Sequence, residues 1–364
     1  MTVAATQRHR GRAESDKLPA KQTSSAQPKL WPTQPDAPPT TPPPFSLADV
    51  RAAIPKHCFQ RSYLRSFQHV AQDFAMIAVI GYLATYIESD VVPSWARYML
   101  WPLYWFMQGT VMTGVWVLAH ECGHQAFSPS KTVNNTVGWV LHSALLVPYH
   151  SWRISHGNHH KNTCSVENDE VFVAPTRSQA GEMINESPIL QAVLLVNMLL
   201  LGWPGYLIAN MSGPTKYSHS WNNSHFSPTS VLFKVRQQMD VVISDIGFFA
   251  AVGAIIYASN VFGWSTVAKY YFIPYLVVNA YLVLITYLQH TDIFVPHFAG
   301  KEFTWLRGAL ATVDRSFGVI NHFIHHITDT HVAHHLFHTM PFYHAEEATE
   351  AIKSVLGPYY LEDK

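Results

Sequence analysis

Five apolar stretches punctuate the chain, at roughly 68–87, 97–119, 189–211, 242–262 and 268–288. An α-helix rising 1.5 Å per residue needs about 20 residues to cross a hydrocarbon core of about 30 Å, and each stretch approaches or meets that length. A sixth, TVGWVLHSALLVPY at 136–149, is too short to cross. The polar segments between them carry three histidine boxes: HECGH at 120–124, HGNHH at 156–160 and HVAHH at 331–335. Positions i, i+3 and i+4 share a helix face. His156, His159 and His160 therefore project together, as do His331, His334 and His335, with His120 and His124 as a similar pair.

If the boxes meet at one centre they lie on one side of the membrane, and the crossings between any two of them are even in number. Between the first two only 136–149 is available, so it is expected to dip in or to lie along the interface. Between the second and third lie three long stretches. The weakest is 189–211, with Asn197, Trp203-Pro204, Gly205 and Asn210, where proline is expected to interrupt the helix ladder. The expected fold is an all-α integral membrane protein. Four spans form two hairpins with lumenal turns near 88–96 and 263–267, and 136–149 and 189–211 are interfacial or re-entrant. A cytosolic helical cap carries the histidines. Arg51, Lys56, Arg61 and Arg65 precede the first span, and Lys161, Arg177, Lys216, Lys234 and Arg236 fall in the same compartment. The lumenal turns hold almost no cation, with Arg97 at one edge, so the boxes and the N-terminus are expected to face the cytosol.

Composition agrees. Charged residues are 13% of the chain, against roughly 25% in soluble domains. Lys plus Arg equals Asp plus Glu at 24 each, which leaves no basic surplus for nucleic acid. Cys58, Cys122 and Cys164 cannot all pair and form no CxxC, as expected on a reducing side. Residues 1–45, with PTQPDAPPTTPPP, read as a disordered tail without the apolar region of a secretory signal, ahead of one membrane domain at 46–364.

Neutral imidazole suits iron, zinc and copper. Eight ligands exceed the four of a tetrahedral zinc, so two metal ions fit the count better. HECGH is also H-E-x-x-H, the pattern of zinc metalloproteases, with Glu121 as general base. That rival needs a third ligand and leaves the other boxes unexplained. His290, just after the last span in YLQHTD, is a ninth ligand candidate. Asp169, Glu170, Asp292, Asp314 and Asp329, with His325 and His326, are candidates for orienting the imidazoles from behind. His142 and His150 flank the short apolar segment, and the rest, His338 included, read as ordinary polar residues.

On these motifs the chain resembles the membrane-bound fatty acid desaturases, most of all the Δ12 (oleate) type of fungi and plants. The resemblance is carried by AHECGHQAFS (119–128), SWRISHGNHH (151–160), VLITYLQHTD (283–292), WLRGALATVD (305–314) and HITDTHVAHHLF (326–337). It implies a non-haem di-iron centre held by His120, His124, His156, His159, His160, His331, His334 and His335, with His290 as the additional ligand. It further implies O2 as co-substrate, electrons from NADH through cytochrome b5 reductase and cytochrome b5, and an acyl chain of a membrane phospholipid as substrate. Residence in the endoplasmic reticulum membrane is part of the same expectation, and a homodimer is compatible with it. Glu121 and Thr330 favour a Δ12 desaturase over the ω3 type and over acetylenases and conjugases. A lipid hydroxylase on the same scaffold is the nearest alternative.

Overall fold

A computed structural model describes residues 39–174, 187–217, 219–292 and 294–363. Most of the expected tail lies outside them. Of its end, Thr41 Oγ1 and the Pro42 carbonyl meet the Tyr359 hydroxyl at 3.0 and 3.3 Å, and the Phe45 ring packs edge-on against Tyr359. These last residues of the segment are therefore held against the C-terminal part of the chain.

The helices in chain order are α1 (Leu47–Ala53), α2 (Tyr63–Ala84), α3 (Ser94–Gly123), α4 (Lys131–Ala144), α5 (Tyr149–Asn162), α6 (Pro188–Ala209), α7 (Gln238–Phe262), α8 (Ile273–His290), α9 (Trp305–Leu310), α10 (His331–Leu336) and α11 (Ala345–Leu356), joined by shorter turns. Ser46, Ser62, Ser130 and Ser187 open α1, α2, α4 and α6, each accepting the backbone N–H three residues on. Gly263, at φ +87°, ends α7 in a conformation other residues rarely adopt. A π-helical turn at Ala268–Phe272 then leads into α8, with Pro274 as its second residue. The named strands among the described residues are two short ones, Asp314–Arg315 and Glu362–Asp363, paired in parallel.

α2 and α3 run antiparallel: Ala84 and Ile87 pack with Trp101 and Tyr104, and the Gln108 amide reaches the Ile77 carbonyl further along. α3 then lies along α8, with Gly109 so close that a Cβ there would come within 2.5 Å of Val277 Cβ. The two turns expected on the lumenal side meet at one end of the bundle. Glu88 takes hydrogen bonds from Lys269 (2.8 Å), Trp101 (3.0 Å) and Arg97 (3.3 Å). Lys269 is a second cation at this end, beyond Arg97, and Glu88 offsets both.

Segment 136–149 folds as a helix and a turn. α4 runs beside α3, with His142 Nε2 3.3 Å from the Trp116 carbonyl, turns at Leu146 (φ +55°), and α5 leads back towards the first box.

Segment 189–211 departs from expectation in one respect. Pro204 does not break it: α6 is a continuous 22-residue helix that ends at Asn210 in the left-handed conformation. A proline in the last two turns removes one ladder bond while neighbouring turns keep theirs. Gly202 lets α6 lie against Val283 of α8. Among the described residues, three helical stretches, Pro188–Ala209, Val235–Phe262 and Trp264–His290, are long and apolar enough to cross a membrane. α2 and α3, at 22 and 30 residues, are long enough but less apolar.

Ile189, Leu195 and Leu201 of α6 and Phe249 and Tyr257 of α7 are exposed. So much outward apolar surface on long helices suits a lipid surround rather than water. A second core, with Val50, Ile54, Leu310, Val332, Leu336 and Ile352, joins α1, α9, α10 and α11 into the cap that carries the third box.

Candidate metal centre

Each box occupies helix, as its spacing requires. His120 lies in the last turn of α3 and His124 caps that helix. The second box occupies α5, the third α10, and His290 is the last residue of α8. The third box sits on a short helix that needs outside support. The backbone before it turns through His325 and His326 at φ +54° and +59°. His325 Nε2 is held by the buried Asp73 carboxylate at 2.8 Å, and Asp314 Oδ1 accepts the Val332 N–H of α10 at 2.8 Å.

The nine imidazoles converge as two groups. In the first, His156 Nε2 lies 2.9 Å from His120 Nε2, 3.0 Å from His124 Nε2 and 3.2 Å from His160 Nε2, and His334 Nε2 lies 3.2 Å from His160 Nε2. In the second, His331 Nε2 stands 3.2 Å from His290 Nε2 and 3.1 Å from His335 Nε2. His159, His290 and His335 present ring nitrogens to one another. His160 and His335 stack at 4.1 Å between ring centres and join the groups.

The outward nitrogens decide what the inward ones are. His120 Nδ1 donates to Glu121 Oε1 (3.1 Å), His159 Nδ1 to Asp169 Oδ1 (2.7 Å) and His331 Nδ1 to the Ile327 carbonyl (3.0 Å). His335 Nδ1 lies 3.1 Å from Thr163 Oγ1, whose own proton goes to the His159 carbonyl, so the imidazole is the donor there too. With Nδ1 protonated in a neutral ring, Nε2 carries a bare lone pair. His331 and His335 thus aim two lone pairs at each other with no hydrogen to share. Protonation would relieve this, but burial and neighbouring imidazoles hold His156, His160, His334 and His335 well below the usual imidazole range. A buried set of neutral nitrogen donors facing inward fits a cation, and imidazole suits iron, zinc or copper.

Of the acidic candidates, only Asp169 orients a box imidazole. Asp292 pairs with Arg315 instead. Asp329 accepts from His326 and Asn321, outside the boxes, because the turn at 325–326 brings His326 over it. Glu170 accepts from Asn158 and Tyr217, and Asp314 supports α10 through its backbone. Glu121, read from the sequence as a protease base on one reading and as a mark of the Δ12 type on the other, is 1% exposed and turned to the back of His120. Thr163 carried no sequence signal. His338 did: it lies i+4 from His334, and its ring packs 5.2 Å from that of His124.

Trp116, Trp152 and Trp203 wall a narrow cavity that reaches His120, His156, His159, His290, His331 and His335. Val171, Trp203, Leu282 and Thr286 also line a neighbouring apolar groove between α6 and α8, with Met198, Gly202 and Val283.

A helical bundle with an apolar outer face, and histidine clusters that could hold metal beside an apolar groove, defines a membrane-type protein. The chain matches the fatty acid desaturase family over residues 98–363 and belongs to it. Residues 4–84 match a domain of unknown function. A Δ(12) fatty acid desaturase of Mortierella isabellina is 52% identical over 340 residues, covering 88% of this chain and 84% of that one. A Δ(12)-acyl-lipid-desaturase of Punica granatum is 49% identical over 329 residues, covering 89% and 84%. An oleate hydroxylase of Claviceps purpurea is 43% identical over 350 residues, covering 89% and 73%.

Proposed function

We propose that the protein is an oxidoreductase that introduces a cis double bond at the Δ12 position of an oleoyl chain carried by a membrane lipid, giving a linoleoyl chain. The observation that carries this reading is the pair of inward-facing imidazole groups beside an apolar groove, in a chain about half identical to Δ12 desaturases. We further propose two iron ions, one held by His120, His124, His156, His160 and His334, the other by His159, His290, His331 and His335.

Acid–base groups alone cannot remove hydrogen from an unactivated methylene; a reduced di-iron centre with O2 supplies that chemistry when bound. The protein's own residues do the rest. Glu121, Asp169, the Ile327 carbonyl and Thr163 keep the proton on Nδ1, so that each Nε2 stays a donor to metal. The tryptophan walls exclude water. The groove between α6 and α8 is shaped to receive an acyl chain and to set which carbons reach the cavity. Electrons come from NADH through cytochrome b5 reductase and cytochrome b5.

Because the boxes meet, α6, α7 and α8 cannot all cross the membrane. We assign four spans to α2, α3, α7 and α8, in the endoplasmic reticulum membrane with the boxes on the cytosolic side. α6 is embedded beside α8, its C-terminal end at the site, where the Tyr206 hydroxyl meets Ser155 Oγ at 2.7 Å.

Hydroxylation is the second reading, favoured by the match to the Claviceps oleate hydroxylase. Expression in yeast, which makes oleate, with gas chromatography–mass spectrometry of the fatty acids, separates them. New linoleate is expected; a hydroxylated product would transfer the reaction to the second reading, and no new product would refute both.

A further inference from the structure

Away from the imidazole centre, four metal-ligating side chains meet on the cap. Cys58 Sγ lies 3.7 Å from His57 Nε2, His57 Nε2 lies 2.9 Å from Glu347 Oε2, and Glu347 Oε2 lies 3.7 Å from His344 Nδ1. All four ligand atoms fall within 4.8 Å of one another. In a tetrahedral zinc site, with Zn–N of about 2.0–2.1 Å and Zn–S of about 2.3 Å, ligand atoms stand roughly 3.3–3.6 Å apart. The observed separations straddle that edge length.

The donors also sit as a site should. Cys58 is fully buried at the back, while His57 and Glu347 are about half exposed at the mouth, where an ion would enter. One thiolate, two imidazoles and one carboxylate match the preference of zinc, and four protein ligands make a closed, structural site. His344 Nε2 now accepts from Arg65 Nη1 at 3.3 Å. Coordination through Nδ1 would move the ring proton to Nε2 and turn Arg65 aside, towards the Tyr343 ring, over which it already lies at 5.5 Å.

We propose that His57, Cys58, His344 and Glu347 form a structural zinc site that staples the chain before α2 to the start of α11. The staple would hold the segment that follows the third box. Phe59 packs on Phe337 at 5.7 Å, Arg61 donates to the Thr339 carbonyl, and the Ser62 N–H donates to the Tyr343 hydroxyl at 2.7 Å. The site shares no residue with the imidazole centre, so either assignment can fail alone.

Cobalt(II) separates them, because neither imidazole group contains a thiol. Purified full-length protein titrated with cobalt is expected to develop thiolate-to-cobalt charge-transfer absorption that Cys58→Ser abolishes and added zinc quenches. Zinc analysis is expected to give about one zinc per chain beyond the iron, as for a closed four-ligand site. That zinc should be lost in His57→Ala, an exposed position, with iron content and linoleate production retained. Zinc should also raise the melting temperature of the wild type and leave that of His57→Ala unmoved. Absence of the charge-transfer band, or equal zinc content in wild type and His57→Ala, would overturn the proposal and leave an ordinary His–Glu ion pair.

Discussion

Asp169→Asn tests how the centre is built. Asp169 is 2% exposed. Its Oδ1 accepts from His159 Nδ1 at 2.7 Å and from the N–H groups of Val171 and Phe172 at 3.1 and 3.3 Å, and its Oδ2 accepts the Cys164 N–H at 3.1 Å. Asparagine cannot satisfy both sides. With its oxygen kept at the Oδ1 position, the amide NH2 abuts the Cys164 N–H. Flipped, it confronts His159, whose proton must move to Nε2, which removes a lone pair from the centre. Either way a buried charge-assisted hydrogen bond is lost, about 1.5–3 kcal/mol. At about 1.4 kcal/mol per decade this is roughly a 10- to 100-fold loss of metal affinity, the range usual for residues that orient metal-bound histidines. Iron per purified chain and linoleate formed per chain in yeast report it. An asparagine variant with wild-type iron and wild-type linoleate would refute the view that this carboxylate sets the His159 tautomer.

Glu121→Ala removes the acceptor behind His120 and is expected to lower iron content and linoleate about 10- to 100-fold; under a protease reading it would abolish hydrolysis and leave metal content intact. Gly114→Ala places a Cβ 2.3 Å from the Phe323 carbonyl, and 3.1 and 3.3 Å from Asp73 and His325. The backbone feeding the third box must shift, so thermal denaturation should show a loss of about 1–3 kcal/mol with reduced activity; an unchanged melting temperature would contradict that packing. Metal-free protein should lose stability in acid. Burial lowers His331 from 6.5 to about 3, so below pH 6.5 the unfolded chain binds protons that the folded chain refuses. Stability is full above that point and declines as the pH falls towards 3, with His156, His160, His334 and His335, also lowered by burial, pulling the same way. A melting temperature of the metal-free form that is flat or rising on acidification would rule this out.

Much of the centre was legible in the sequence because helical spacing converts directly into shared direction. His-x-x-His-His puts three rings on one face, and those faces do come together. His290 was legible because it ends a long apolar helix. What carries a helix through Pro204 was not: proline position alone does not tell whether the surrounding turns, here packed along α8, keep the ladder. Nor were the partners of Asp292 and Asp329, which depend on where Arg315 and the left-handed turn at 325–326 fall in space. Glu121 stood out as a Δ12 marker and as a rival protease base, but its place behind His120 was not legible, since sequence cannot say to which side its carboxylate turns. Thr163 touches His335 across 172 residues of chain, a contact no local pattern encodes.

The central claim is that nine imidazoles form one two-iron centre that desaturates an acyl chain. Iron content and linoleate output measured together, on the purified full chain and on His290→Ala, test it most directly. His290 lies outside every box yet sits 3.2 Å from His331. The account predicts about two iron ions per wild-type chain, as the ligand count requires, with a clear loss of iron and of linoleate in the variant. Full iron and full linoleate in His290→Ala, or linoleate made by wild-type protein that holds no iron, would contradict it.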